Sequence, residues 1–202
     1  MHATKIRAHP GCLGMVLWFI LVAKAQPPSP VKLFVAVLTR YPALVMQVSS
    51  ILEAPYGPLD LSSQGIPFTA THYYEAEMGT HLQRFFLSFS RLIPPDQIVE
   101  IKAFTSEVED RFRQDGKRQI NLDPGYLDYH KVVLASWKFG GQKIYLPGGV
   151  YADITLYYYK RQFLSFEWSF PDFKLGLYND FLLKMRDLYK AERQAVDKFA
   201  AY

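Results

Sequence analysis

From Lys143 to Leu156 the residues alternate almost strictly between two parities, and that pattern limits what the chain can fold into. Ile144, Leu146, Val150, Ala152, Ile154 and Leu156 fall on one parity, and Lys143, Tyr145, Tyr151, Asp153 and Thr155 on the other. Successive side chains of a strand point to opposite faces, so the first set predicts a core surface and the second a polar one. Pro147-Gly148-Gly149 interrupts the run and reads as a three-residue hairpin loop. The register then sets Leu146 opposite Val150, Tyr145 opposite Tyr151 and Lys143 opposite Asp153. Lys143 and Asp153 read equally as a cross-strand ion pair and as part of a ligand cleft.

The rest of the chain alternates between strand and helix signals. Lys32–Leu38 is a short apolar strand, and Pro42 opens a helix whose apolar residues run from Leu44 to Leu52. The segment APYGPLDLSSQGIP reads as a loop, and Phe68–Tyr74 as a second strand. Leu82, Phe85, Phe86, Phe89 and Leu92 sit at helical spacing, as do Ile98, Ile101, Phe104, Val108 and Phe112 after Pro94-Pro95. A strand-rich block ends at Phe163–Trp168, and Pro171-Asp172 opens a last helix. This order predicts a single α+β domain over residues 31–202, with helices packed on one face of a mostly antiparallel sheet.

At 202 residues, half of them hydrophobic, the chain is long enough to bury a substantial core. The net charge is +4 with no run of five like charges, which gives no sign of nucleic-acid binding. The one cysteine, Cys12, precedes the expected domain, so a disulfide within the chain and a cysteine-based zinc site are both excluded. Residues 1–30 differ from the rest: Lys5 and Arg7, an apolar run from Leu13 to Ala23, Ala23-Lys24-Ala25, then Pro27, Pro28 and Pro30. They read as a secretory leader or as a mis-called translation start, followed by a Pro-rich linker. About eleven apolar residues are too few to span a bilayer as a transmembrane helix.

Asp123-Pro124-Gly125-Tyr126 carries the residues of a type II turn. In one reading Asp123 serves that turn; in the other, Asn121 and Asp123 hold a ligand at a strand end. Lys131, Lys138 and Lys143 would then supply positive charge for a phosphate or carboxylate, beside Tyr145, Tyr151 and Asp153. Glu75 and Glu77 share a strand face and, with Asp123, offer the oxygen donors that suit Mg²⁺. Glu77 and His81, four apart, would share a face if the segment were helical. The chain has no P-loop, no dinucleotide-binding glycine motif, no H-E-x-x-H and no G-x-S-x-G.

Several stretches together resemble a known family: VKLFVAVLTR, YGPLDLSS, THYYEAEMG, LIPPDQIVEIKAFTSEVE, INLDPGYL, KVVLAS and IYLPGGVYADITL. The family is an uncharacterised bacterial and archaeal domain of unknown function, family 4416, and the likeness covers residues 31–202. It implies that residues 1–30 are an addition, which favours a mis-called start over export and a cytoplasmic protein. It brings no established activity. A GTP-binding label carried by some similar proteins finds no P-loop and no N-K-x-D motif here. The residues lead to a domain that binds a small anionic ligand, a nucleotide or phosphorylated metabolite, on the polar sheet face, with Mg²⁺ as a candidate cofactor. The alternative is a non-enzymatic protein–protein interaction domain that presents Tyr157, Tyr158, Tyr159, Phe163 and Phe166.

Overall fold

A computed structural model describes residues 25–199; of the leader expected over residues 1–30, residues 1–24 lie outside them. In chain order the elements are β1 (Val31–Thr39), α1 (Pro42–Tyr56), β2 (Leu59–Ser62), β3 (Ile66–Pro67), α2 (Glu75–Met78), β4 (Gln83–Ile93), α3 (Ile98–Arg111), β5 (Ile120–Leu127), β6 (Lys131–Ser136), β7 (Ile144–Tyr145), β8 (Tyr151–Tyr159), β9 (Gln162–Ser165), α4 (Pro171–Lys174) and α5 (Asn179–Phe199). The strands make one antiparallel sheet in the order β2-β4-β1-β5-β6-β8-β7, with β3 added to β4 and β9 to β8. The fold is α+β, as the sequence order predicts.

β1 shows how the layers are arranged. Val31, Leu33, Val35 and Val37 face a core shared with Val48 and Leu52 of α1 and Ile98, Ile101 and Val108 of α3. Phe34 and Ala36 face a second core with Phe173 of α4 and Phe181, Leu182, Met185 and Tyr189 of α5. The helices therefore divide between the two faces, instead of gathering on one. A strand buried on both faces needs apolar residues at both parities, which is why this one reads as a continuous apolar run. At its start Lys32 is fully buried, paired with Asp60 of β2 and, at 2.5 Å, with Glu192 of α5.

The same reasoning corrects the expected helix after Gly79. Residues 83–93 form β4, which pairs with β1 on one side and with β2 and β3 on the other. Phe85, Leu87 and Phe89 pack toward α1 and α3, and Phe86 toward α5. Phenylalanines at both parities fit a helical spacing by coincidence. β2 and β3, read as loop, pair with β4, whereas Phe68–Tyr74 forms no strand. The last helix is broken into α4 and α5, with Gly176 at φ 69° between them.

The register after Lys143 is as expected, and side chains alternate faces as far as Ile154. Burial does not follow the two parities: Ile144, on the edge strand β7, is 55% exposed and Asp153 is buried. The hairpin pairs Ile144 with Ala152 and Tyr145 with Tyr151, and Leu146 N–H donates to Val150 O. Beyond Ile154 a bulge leaves Thr155 without a partner on β6, because Val133 pairs with Ile154 and Val132 with Leu156. One extra residue reverses the parity. Leu156 consequently packs in the α5-side core, whereas Val150 packs with α1 and α3.

Asp123-Pro124-Gly125-Tyr126 is strand, not turn: Val35 pairs with Pro124 and Phe34 with Gly125. β5 pairs with β6 only through Gly125–Leu127, opposite Leu134–Val132, and toward Ile120 the two strands part. Pro124 explains where. Alternate residues of a strand turn their peptide groups to the same side, and Leu122 directs both of its groups away from β1. Pro124 lies on that side and has no N–H to continue the ladder. Gly125 is required by close approach, since a Cβ there would lie 2.5 Å from Val133 O and 2.7 Å from Phe34 Cζ. Gly125→Ala should therefore destabilise the protein by about 1–3 kcal/mol. Urea unfolding checks this, and an unchanged midpoint would refute the close-approach argument.

Candidate ligand site

Where β5 and β6 part, two polar side chains of α3 fill the gap. Lys102 Nζ donates to Leu122 O at 3.1 Å, and Glu109 Oε1 accepts from Leu122 N–H at 2.5 Å. Lys102, Thr105 and Glu109 are all buried and make a polar stripe beside the apolar one of the same helix. They replace the hydrogen bonds that β6 would have supplied, because a buried peptide group must find a partner.

Above the gap lies a cavity of about 390 Å³. Its walls come from Ala36 of β1, Arg84 of β4, Lys102 and Glu109 of α3, Asn121 and Asp123 of β5, and Leu134–Ser136 of β6. The residue 71–74 segment, the β6–β7 loop and residues 170–173 add Tyr73, Tyr74, Trp137, Lys138, Lys143, Phe170 and Asp172. Tyr73, Trp137 and Phe170 are exposed at the rim.

A connected charge network runs through these walls. Arg118 grips Glu77 through Nε at 2.8 Å and Nη2 at 2.6 Å, and donates to Asn121 Oδ1 at 2.7 Å. Asn121 Nδ2 donates to Asp123 Oδ2 at 2.7 Å. Asp123 lies 3.4 Å from Arg84 and 3.6 Å from Lys102. The bond from Arg118 holds the Glu77 carboxyl below its usual range and raises the guanidinium in turn. Arg84 is buried, and its Nε, 3.6 Å from Asp172, makes no hydrogen bond. Burial opposes its charge, but Asp123 and Asp172 more than offset that and raise its pKa. Burial pushes the Glu109 carboxyl up to about 7, against the pull of Lys102 and Leu122 N–H; Asp123 adds to the rise.

On the far wall Lys143 Nζ lies 3.4 Å from Asp153 and 3.2 Å from Ser136 Oγ. Asp153 is 2% exposed, and its burial raises its pKa despite the opposing lysine. Lys138 bonds Tyr73 Oη and sits over that ring at 4.2 Å, with no carboxylate partner among the described contacts.

Of the residues expected at a site, Asn121, Asp123, Lys138 and Lys143 line the cavity, with Asp153 behind Lys143. Lys131 is at the other end of β6, paired with Asp128. Tyr145 and Tyr151 meet edge to face, with ring centroids 5.5 Å apart, and do not line the cavity. Glu75 bonds His72 at 2.7 Å. Because α2 ends at Met78, Glu77 and His81 share no helix face. Among the described residues no group of three His, Cys, Asp or Glu is arranged to hold a metal ion. Sequence reasoning missed Arg84, Lys102, Glu109 and Arg118. The spacing of Lys102, Thr105 and Glu109 along α3 was the available signal; Arg84 was hidden by the helical reading of β4.

Fold and site define an α+β protein with a charged, aromatic-rimmed cavity at the split of its antiparallel sheet. No helix among the described residues is long and apolar enough to cross a membrane. Residues 29–189 match the family described as Domain of unknown function (DUF4416), and the chain belongs to that family. No curated protein and no solved structure matches the chain.

Two outcomes are expected. Asp153→Ala strands a buried lysine and should cost about 3 kcal/mol, whereas Lys143→Met combined with Asp153→Leu should recover most of that loss. Denaturant unfolding of the three proteins reads both. Glu109 holds its proton to about pH 7 when folded, against an ordinary 4.5, so the unfolded chain releases it first. Its contribution to stability is therefore full below pH 4.5 and declines as pH rises to 7. The stability difference between wild type and Glu109→Gln should follow that curve, and a flat difference would contradict it.

Proposed function

We propose that this protein binds a small anionic ligand with a ring or other planar portion, a nucleotide or phosphorylated metabolite, in the cavity at the β5–β6 split. The observation that carries this reading is the buried Arg84 guanidinium, with its unbonded Nε, on a wall that also presents Lys102, Arg118, Lys138 and Lys143. Arginine and lysine donors suit the oxygens of phosphate or carboxylate. Tyr73, Trp137 and Phe170 offer ring faces at the mouth for a base or other planar group. Glu77 and Asp153, partners of Arg118 and Lys143, stand outside the lining, whereas Glu109, Asp123 and Asp172 share it with the cations. Mg²⁺ enters this reading with the ligand's own phosphates and Asp123, since Glu75 and Glu77 are engaged by His72 and Arg118. On this reading the ligand and the protein are cytoplasmic.

The competing reading, an interaction surface, draws on Phe166 and Trp168, stacked at 4.6 Å, with Tyr157 against Phe166. Phe163 is buried, and Tyr158 packs under the Arg186 guanidinium at 3.6 Å. Trp168 Nε1 donates to Ile154 O and Ser169 Oγ to Thr155 O, covering the edge of β8 left open between β7 and β9. This edge-covering role accounts for the stack, and the weight falls on the cavity.

Thermal denaturation of the full chain against nucleotides and phosphorylated metabolites, with and without Mg²⁺, tests the proposal. A ligand at about 100 times its Kd should stabilise by roughly 2.7 kcal/mol, or about 5–10 °C at this size. Lys138→Ala should weaken that ligand about tenfold while changing the unliganded stability by less than about 0.5 kcal/mol. Binding unaffected by this change and by Arg84→Met would put the ligand elsewhere.

A further inference from the structure

We propose that Glu109 takes up a proton when an oxyanion enters the cavity, and that the neutral carboxyl then donates its O–H to that anion. The proposal rests on the anion site described above and supplies its regulation. Glu109 rises from α3 into the β5–β6 gap and lines the cavity. Its two oxygens are inequivalent. Oε1 is committed as acceptor to Leu122 N–H, whereas Oε2 stands 3.6 Å from Arg118 Nη1. A proton on Oε2 therefore leaves the backbone bond intact and puts a donor on the oxygen beside Arg118, in a cavity that Lys102 also lines.

The surrounding charges set the balance. Lys102 on the same helix and Arg118 before β5 favour the carboxylate, and Asp123 on β5 disfavours it. Across the cavity stand Lys138 and Lys143, the latter held by Asp153, and Arg84 with Asp172 of α4. With burial, these place the group near neutrality, at about 7. An anion beside it acts as Asp123 does and raises the proton affinity further. The proton passes from solvent to Oε2, and no other bond is made or broken. By linkage, affinity for the anion is highest below pH 7 and falls by up to about tenfold per pH unit above it.

Sulfate is a suitable probe because it is fully ionised across this range. Calorimetric titration of the full chain with sulfate from pH 5.5 to 8.5, in two buffers of different ionisation enthalpy, measures affinity and proton uptake together. The wild type should bind progressively more weakly above pH 7 and take up close to one proton at pH 8. Glu109→Gln keeps an oxygen for Leu122 N–H and cannot titrate, so its sulfate affinity should be independent of pH. Sulfate binding to the wild type with no uptake and no pH dependence would overturn the proposal and leave the anion site standing. So would a Glu109→Gln protein that keeps the wild-type slope, which would assign the proton to another group. Absence of sulfate binding at every pH would remove the anion site itself, and the proposal with it.

Discussion

Leu122 has a peptide group that the sheet cannot satisfy, and most of the site follows from that. Pro124 stops the ladder between β5 and β6, so Leu122 turns its N–H and C=O into a gap. A buried unpaired peptide group costs on the order of 1–3 kcal/mol. Lys102 and Glu109 remove that cost with one acceptor and one donor from the same helix. The repair leaves two ionisable groups at the bottom of an opening between strands. Structural need and potential chemistry thus fall on the same atoms.

The charges around the opening come in layers. Lys143 is backed by Asp153, Arg118 by Glu77, and Arg84 lies between Asp123 and Asp172. Each of these cations has a carboxylate beside it, behind the wall or within it, which keeps its donors in place before any ligand arrives. Such fixed donors need little reorganisation on binding. Glu109 is the exception: burial leaves it close to changing state.

The sequence disclosed local order more readily than it disclosed the site. α1, α3 and the β7–β8 hairpin were legible because their apolar residues keep one period and Pro42 and Pro147-Gly148-Gly149 mark their ends. β4 was misread because burial on both faces erases the period-2 signal. Asp123-Pro124-Gly125 misled for a different reason: its turn chemistry is local, whereas its role as the end of a ladder depends on β6. Asn121 and Asp123 drew notice through the turn reading that the structure overturns, and Lys138 and Lys143 through their charge; all four line the cavity. Glu109 and Lys102 were not, because a charged residue on a helix ordinarily signals solvent, and only the missing strand partner draws them inward.

The cavity is assembled from segments far apart in the chain, from Ala36 to Phe173. No single hairpin or helix contains enough of the wall to hold anything. Contacts of such long sequence separation form late, after the loops between them have closed. The opening therefore exists only in a chain whose sheet has already joined β4, β1, β5 and β6 and whose α4 has docked. A complete wall would distinguish the finished molecule from every partly folded form.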